Sequence, residues 1–259
     1  MKALAARRHH RLAPVVLLLL ALLVTGGVYT ALAPSPATAE TASTADIETG
    51  NKLFQANCAT CHGPNAEGTP DAPSLVGVGA ASVDFQVSTG RMPAQRHGAQ
   101  VEPKPRQMDE EQTAALAAYV ASLGPGPAIP TDEQVDPALG DAAVGMALFR
   151  TNCAMCHNAI GAGGALTEGK YAPPLRDTSP RNVYQAMLTG PQSMPVFNDA
   201  TITPEEKRDI IAFLEEQRQT SAGGAALGGL GPVAEGLWAW IVGMGLLIGA
   251  AVWIGAKSS

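Results

Sequence analysis

Asp46–His62 reads DIETGNKLFQANCATCH, and Asp141–His157, 95 residues on, reads DAAVGMALFRTNCAMCH, identical at 9 of 17 positions. Three further landmarks recur in the same order. Ala72-Pro73-Ser74-Leu75 answers to Ala172-Pro173-Pro174-Leu175, Gly90-Arg91-Met92-Pro93 to Gln192-Ser193-Met194-Pro195, and Glu110–Leu123 to Glu205–Arg218. Ordered landmarks at this period mean two copies of one small domain. Residues 45–124 and 140–220 are the expected domains, joined by 125–139.

Each copy reads as helical, with no long alternating strand pattern. Ile47, Leu53 and Phe54, and Val144, Leu148 and Phe149, suit the apolar faces of the two opening helices. Asp109 with Gln112, and Thr203 with Pro204 and Glu206, form start signals for the closing helices. The linker begins Gly124-Pro125-Gly126-Pro127 and is expected to be stiff, whereas 221–232, rich in Gly and Ala, is expected to be flexible.

Cys58-Ala59-Thr60-Cys61-His62 and Cys153-Ala154-Met155-Cys156-His157 have the form of c-type haem attachment motifs. Two thiols three residues apart on a helical turn each bond one vinyl group of a porphyrin, and the following His supplies the proximal iron ligand. A thioredoxin-like pair does not require the His, and a zinc site would need more ligands. The expected cofactors are therefore two covalently bound haem c groups, held by Cys58 and Cys61 and by Cys153 and Cys156, with His62 and His157 as axial ligands. The fold expected is all-α, two tandem class I-like cytochrome c domains.

The second axial ligand must come later in each copy. Met92 and Met194 occupy matched places before a proline, and a thioether favours reduced iron. His97 and Met108 are rivals in the first copy without a counterpart in the second. Met146 and Met187 read as helix residues on apolar faces. The carbonyls of Pro73 and Pro173 are candidates to orient the histidines, an ordinary turn being the alternative. Tyr171 and Arg176 are candidates to bond a propionate. Iron closed by His and Met leaves no place for a substrate, which points to electron transfer and to no catalytic residues.

Arg7, Arg8 and Arg11 precede an apolar run, Leu12–Leu32, long enough to cross a bilayer, and Ala37-Thr38-Ala39 resembles a cleavage site. Residues 1–39 are thus a signal or a retained anchor. A second apolar run, 233–255, carries Trp238, Trp240 and Trp253 near its ends and is followed by Lys257, marking a C-terminal anchor with its end in the cytoplasm. The haem domains would face the extracytoplasmic side. Between Glu40 and Pro232 lie 22 acids and 12 bases, a balance of −10 against −6 for the chain. That sign excludes a nucleic-acid binder and suits a partner with a basic patch.

Phe85–Pro93 (FQVSTGRMP), Gly163–Leu166 with Gly169–Pro173, and Tyr184–Gln192 (YQAMLTGPQ) resemble the dihaem cytochrome c, or cytochrome cc, subunit of actinobacterial menaquinol–cytochrome c reductase, the cytochrome bc complex. The resemblance covers roughly Asp46–Gln217 and extends to the tail anchor. It implies a translocase subunit whose partners are a cytochrome b subunit, a Rieske iron–sulfur subunit and the copper centre of a haem–copper oxidase. Electrons would arrive from the Rieske centre after menaquinol oxidation, enter the first haem and leave from the second. The alternatives are a dihaem peroxidase, in which one iron would have to open, or the electron-transfer subunit of another oxidase or a dehydrogenase.

Overall fold

Two glycines set how closely the opening helix of each copy crosses its closing helix, Gly50 in the first copy and Gly145 in the second. A Cβ on Gly50 would lie 1.9 Å from the Ala115 carbonyl oxygen, and one on Gly145 would lie 1.8 Å from that of Asp209. Only hydrogen fits there, so each opening helix crosses its closing helix at backbone contact. The computed structural model describes residues 12–32, 43–96, 98–219 and 232–257. Lys2, Arg7, Arg8, Arg11, Ala37-Thr38-Ala39, His97 and linker residues 221–231 lie outside the described residues.

In the first copy the opening helix α2 (Thr44–Asn57) runs into the short α3 (Ala59–His62), then α4 (Gly79–Ser88) and the closing α5 (Glu110–Ser122). α6 (Asp132–Val135) follows. The second copy has α7 (Ala142–Asn152), α8 (Ala154–His157), α9 (Pro180–Thr189) and α10 (Pro204–Gln219). α1 (Ala13–Leu32) precedes them and α11 (Pro232–Lys257) follows.

The helix starts are those written in the sequence. Asp109 accepts from the Gln112 amide while the Gln112 side chain accepts from the Asp109 amide. Thr203 and Glu206 make the same reciprocal pair. Such a cap contributes about 1 kcal/mol. Each core is centred on an aromatic pair, Phe54 with Tyr119 and Phe149 with Phe213, both at 5.3 Å between ring centroids and tilted by 47°. Phe54 is 1% exposed and Phe149 is fully buried.

These matched contacts correct the register of the repeat. The cap, the glycine contact and the aromatic pair align Asp109 with Thr203, Ala115 with Asp209 and Tyr119 with Phe213. The closing helices therefore correspond at an offset of 94, one residue short of the pairing of Glu110 with Glu205. Val144 also departs from expectation and is exposed. Gly145 and Phe149, four apart, face α10, which turns Val144 outward.

The following hairpin has no forerunner in the sequence reading. β1 (Gly164–Ala165) and β2 (Tyr171–Ala172) pair antiparallel, Gly164 opposite Ala172 and Ala165 opposite Tyr171. Strands of two residues are too short to show alternation. The linker is pinned at both ends: the Ala81 amide donates to the Pro127 carbonyl, Ile129 packs on the first core, and Val135 packs on the second.

The stretch Gly236–Ala256 of α11 is long and apolar enough to cross a membrane, and its side chains, Trp238, Trp240 and Trp253 included, are exposed. α1 is a continuous apolar helix whose leucines and valines from Leu12 to Val28 are also exposed.

Candidate functional site

Each attachment motif straddles a break between two helices. Cys58 ends α2 and starts α3, with φ −123° and ψ −33°, and Cys153 repeats this between α7 and α8 with φ −118° and ψ −34°. The Cys61 and His62 amides both donate back to the Cys58 carbonyl, as the Cys156 and His157 amides do to Cys153. One tight turn thus places both thiols and the imidazole. All four cysteines are free. Burial pushes the Cys58 thiol up to about 11, with Cys61 adding to the rise. Cys153 is raised to about 11 by burial and then by Cys156. Both inner thiols are thereby held protonated.

The histidines are oriented by backbone carbonyls. His62 Nδ1 lies 2.8 Å from the Pro73 oxygen, and His157 Nδ1 lies 3.0 Å from the Pro173 oxygen. A carbonyl can only accept, so Nδ1 carries a proton, and Nε2 is the nitrogen left to face a metal. That is the tautomer a metal-ligating imidazole needs. Burial holds His157 below the ordinary imidazole range, opposed by its bond to Pro173.

The geometry depends on two glycines to which the sequence reading assigned no role. Gly68 and Gly163 stand six residues after His62 and His157 and donate to their carbonyls at 2.7 and 2.9 Å. Both adopt positive φ, +88° and +80°. A Cβ on Gly68 would meet the Ser74 amide at 2.6 Å, and one on Gly163 the Ala172 oxygen at 2.6 Å. Glycine lets the proline strand pass close enough to reach the imidazole. The equal spacing from the histidine was the available signal.

The methionines lie on the same two clusters as the motifs. Met92 and Cys58 both pack on the first core, and Met194 and Cys153 on the second. A shallow cavity of about 470 Å³ is lined by Cys156, by Ala165, Leu166, Thr167 and Lys170, and by Ser193, the neighbour of Met194 in the chain. Met108, the rival in the first copy, is buried within the core cluster. Met187 is 2% exposed and Met146 packs beside it. The Tyr171 hydroxyl is engaged by Glu102 at 2.6 Å, and Arg176 is exposed.

The donor set suits a porphyrin better than a bare ion. Among the described residues, no three of His, Cys, Asp and Glu converge to hold a metal ion. What each domain offers is one imidazole with a free Nε2, one thioether on an apolar wall and two unpaired thiols. These are the groups a covalently attached haem c takes.

Comparison with known proteins agrees. A cytochrome c family model matches residues 47–124, and one described as cytochrome c oxidase, cbb3-type, subunit III matches 140–214. The cytochrome bc1 complex cytochrome c subunit of Mycobacterium tuberculosis (strain ATCC 25618 / H37Rv) is 48% identical, covering 97% of this chain and 93% of that protein. The subunit of the same name from Corynebacterium efficiens is 47% identical over 90% of this chain and 85% of its own length. That of Corynebacterium diphtheriae is 44% identical over 99% of both. Identity of this order over nearly the whole length leaves no large segment unmatched, and the chain belongs to the family of cytochrome c subunits of the cytochrome bc1 complex.

Proposed function

We propose that this chain is the electron-carrying cytochrome c subunit of a respiratory quinol–cytochrome c reductase, and that it holds two haem c groups. The observation that carries the reading is the twofold occurrence of one ligand geometry, His62 on the Pro73 carbonyl and His157 on the Pro173 carbonyl. Near-full-length similarity to subunits of the bc1 complex supports the choice of complex.

Bound haem c supplies reversible one-electron chemistry at its iron. The remaining work belongs to the chain. Cys58 and Cys61 anchor one group, and Cys153 and Cys156 the other. His62 and Met92 would hold the iron of the first group, and His157 and Met194 that of the second. The thioethers raise the potential, and the apolar walls behind them limit access of water. With both axial places filled from the chain, the subunit has no substrate site of its own, and quinol is oxidised in partner subunits.

The partners in this reading are cytochrome b and the Rieske iron–sulfur subunit. Electrons enter at the first domain and leave from the second toward the copper centre of a haem–copper oxidase. α11 anchors the domains to the extracytoplasmic face of the cell membrane, with Lys257 on the cytoplasmic side. The test is purification of the tagged chain in mild detergent. Cytochrome b and Rieske subunits should co-purify, with quinol-driven reduction of the chain. A monodisperse chain without them, reduced by quinol no faster than by buffer, would overturn the assignment.

A further inference from the structure

The two copies differ most in length at two places, and those two places touch. From Met92 to the cap at Asp109 the chain advances seventeen residues, but from Met194 to Thr203 only nine. The first copy has a longer loop there, which contains Gln100 and Glu102. His62 and Pro73 are 11 residues apart, but His157 and Pro173 are 16 apart. The second copy spends its extra residues on the β1–β2 hairpin.

In the hairpin, Leu166 donates to Lys170 and Gly164 faces Ala172. Antiparallel pairing alternates, so Tyr171 sits at the position whose N–H and C=O point away from β1. That open edge is filled by one side chain from the other copy. Gln100 Oε1 accepts from the Tyr171 amide at 2.9 Å, and Gln100 Nε2 donates to the Tyr171 carbonyl at 3.0 Å. The carboxamide stands in for a third strand. The Tyr171 hydroxyl donates to Glu102 Oε2 at 2.6 Å, and the Val101 amide donates to Gln192 Oε1 at 3.3 Å. A second contact lies between α4 and α9, where Gln185 Nε2 donates to Asp84 Oδ2 at 2.5 Å; Gln185 is fully buried. Gln185 and Gln192 both lie on the segment that leads into Met194, and β2 leads into Pro173. The contacts therefore hold the second domain by the segments that carry its ligands.

We propose that Gln100, Glu102 and Asp84 form a clasp that fixes the second domain against the first, and that they are positioning residues for electron passage between the two. The idea that electrons pass rests on the function proposed above; the clasp itself does not.

The test uses the full-length chain with its haems, within its detergent-solubilised complex. Amide hydrogen exchange is read at Val101 and Tyr171 in wild type, Gln100→Ala, Asp84→Ala and Glu102→Gln. Gln100→Ala removes two hydrogen bonds from a partly exposed loop, so the Tyr171 amide, 71 positions away, should exchange about thirtyfold faster. Asp84→Ala, on a different element, should raise exchange at the same two amides. Glu102→Gln keeps an acceptor for Tyr171 and should stay near wild type. Haem content and both midpoint potentials should be unchanged, while flash-induced electron equilibration between the domains slows by about tenfold. Unchanged Tyr171 protection in Gln100→Ala would overturn the clasp. Lost protection with unaltered equilibration would overturn the positioning role. A wild-type chain with fewer than two haems would instead overturn the function proposed above while leaving the exchange result to stand.

Discussion

Gly163→Ala is the sharpest probe of the ligand geometry. An alanine at φ +80° costs about 1–2 kcal/mol from the left-handed backbone alone. Its Cβ would also stand 2.6 Å from the Ala172 oxygen, 2.9 Å from the Pro174 nitrogen and 3.0 Å from the Pro173 carbonyl carbon. All three are backbone atoms, so the strand from Ala172 to Pro174 must move, at roughly 1–3 kcal/mol. The sum, about 2–5 kcal/mol, should lower the melting temperature of the second domain by about 10 °C or more. The same movement lengthens the 3.0 Å bond from His157 to Pro173. A looser bond makes the imidazole a weaker donor, which disfavours ferric iron and raises the potential. Since tenfold in relative affinity is about 59 mV, a threefold loss gives about 30 mV upward. Gly169→Ala supplies the control: its φ is +74°, and nothing lies within 4 Å of its Cβ. It should cost only the backbone part and leave both potentials in place. Spectroelectrochemical titration of wild type and both variants decides the matter. If Gly163→Ala leaves the second potential where Gly169→Ala does, the proline carbonyl does not tune the histidine.

Met194→Leu should lower the second potential and leave the first unchanged, read by the same titration; a pair of unshifted curves would remove Met194 from the ligand set. Phe149→Ala, at a fully buried site packed at a tilt on Phe213, should cost about 3–5 kcal/mol by denaturant unfolding. Lys207 is fully buried and donates to Asp199 at 2.7 Å and to the Ile202 carbonyl at 2.5 Å, tying the segment after Met194 to α10. Lys207→Met leaves the Ile202 carbonyl without its donor, while Asp199, more than half exposed, turns to water. The expected loss is about 1–3 kcal/mol in urea unfolding.

What the sequence displays best is chemistry confined to a few adjacent residues. The Cys-x-x-Cys-His turns and the capping boxes at Asp109 and Thr203 are local, and their residues carry their meaning without help from the fold. The proline carbonyls were visible as candidates because the motif implies a histidine that must be oriented. Register was harder. The Glu pairs at 110–111 and 205–206 invite alignment by identity, yet the caps and the glycine crossings set the helices one residue apart. Val144 was misplaced for a related reason: an apolar residue beside the Gly145–Phe149 stripe reads as core until the crossing partner is known. The clasp was illegible because Gln100 and Tyr171 are 71 positions apart, and a glutamine that mimics a strand looks like any polar loop residue. Tyr171, a candidate propionate partner by sequence, is the residue whose backbone receives that glutamine.

The most direct test of the central claim is the number of thioether-linked haems on the purified chain. Intact-mass measurement together with a pyridine haemochrome assay should give two per polypeptide, resistant to acid–acetone extraction. The double substitution Cys153→Ser and Cys156→Ser should leave one. A wild-type chain carrying one haem or none, or haem that extracts freely, would contradict the account.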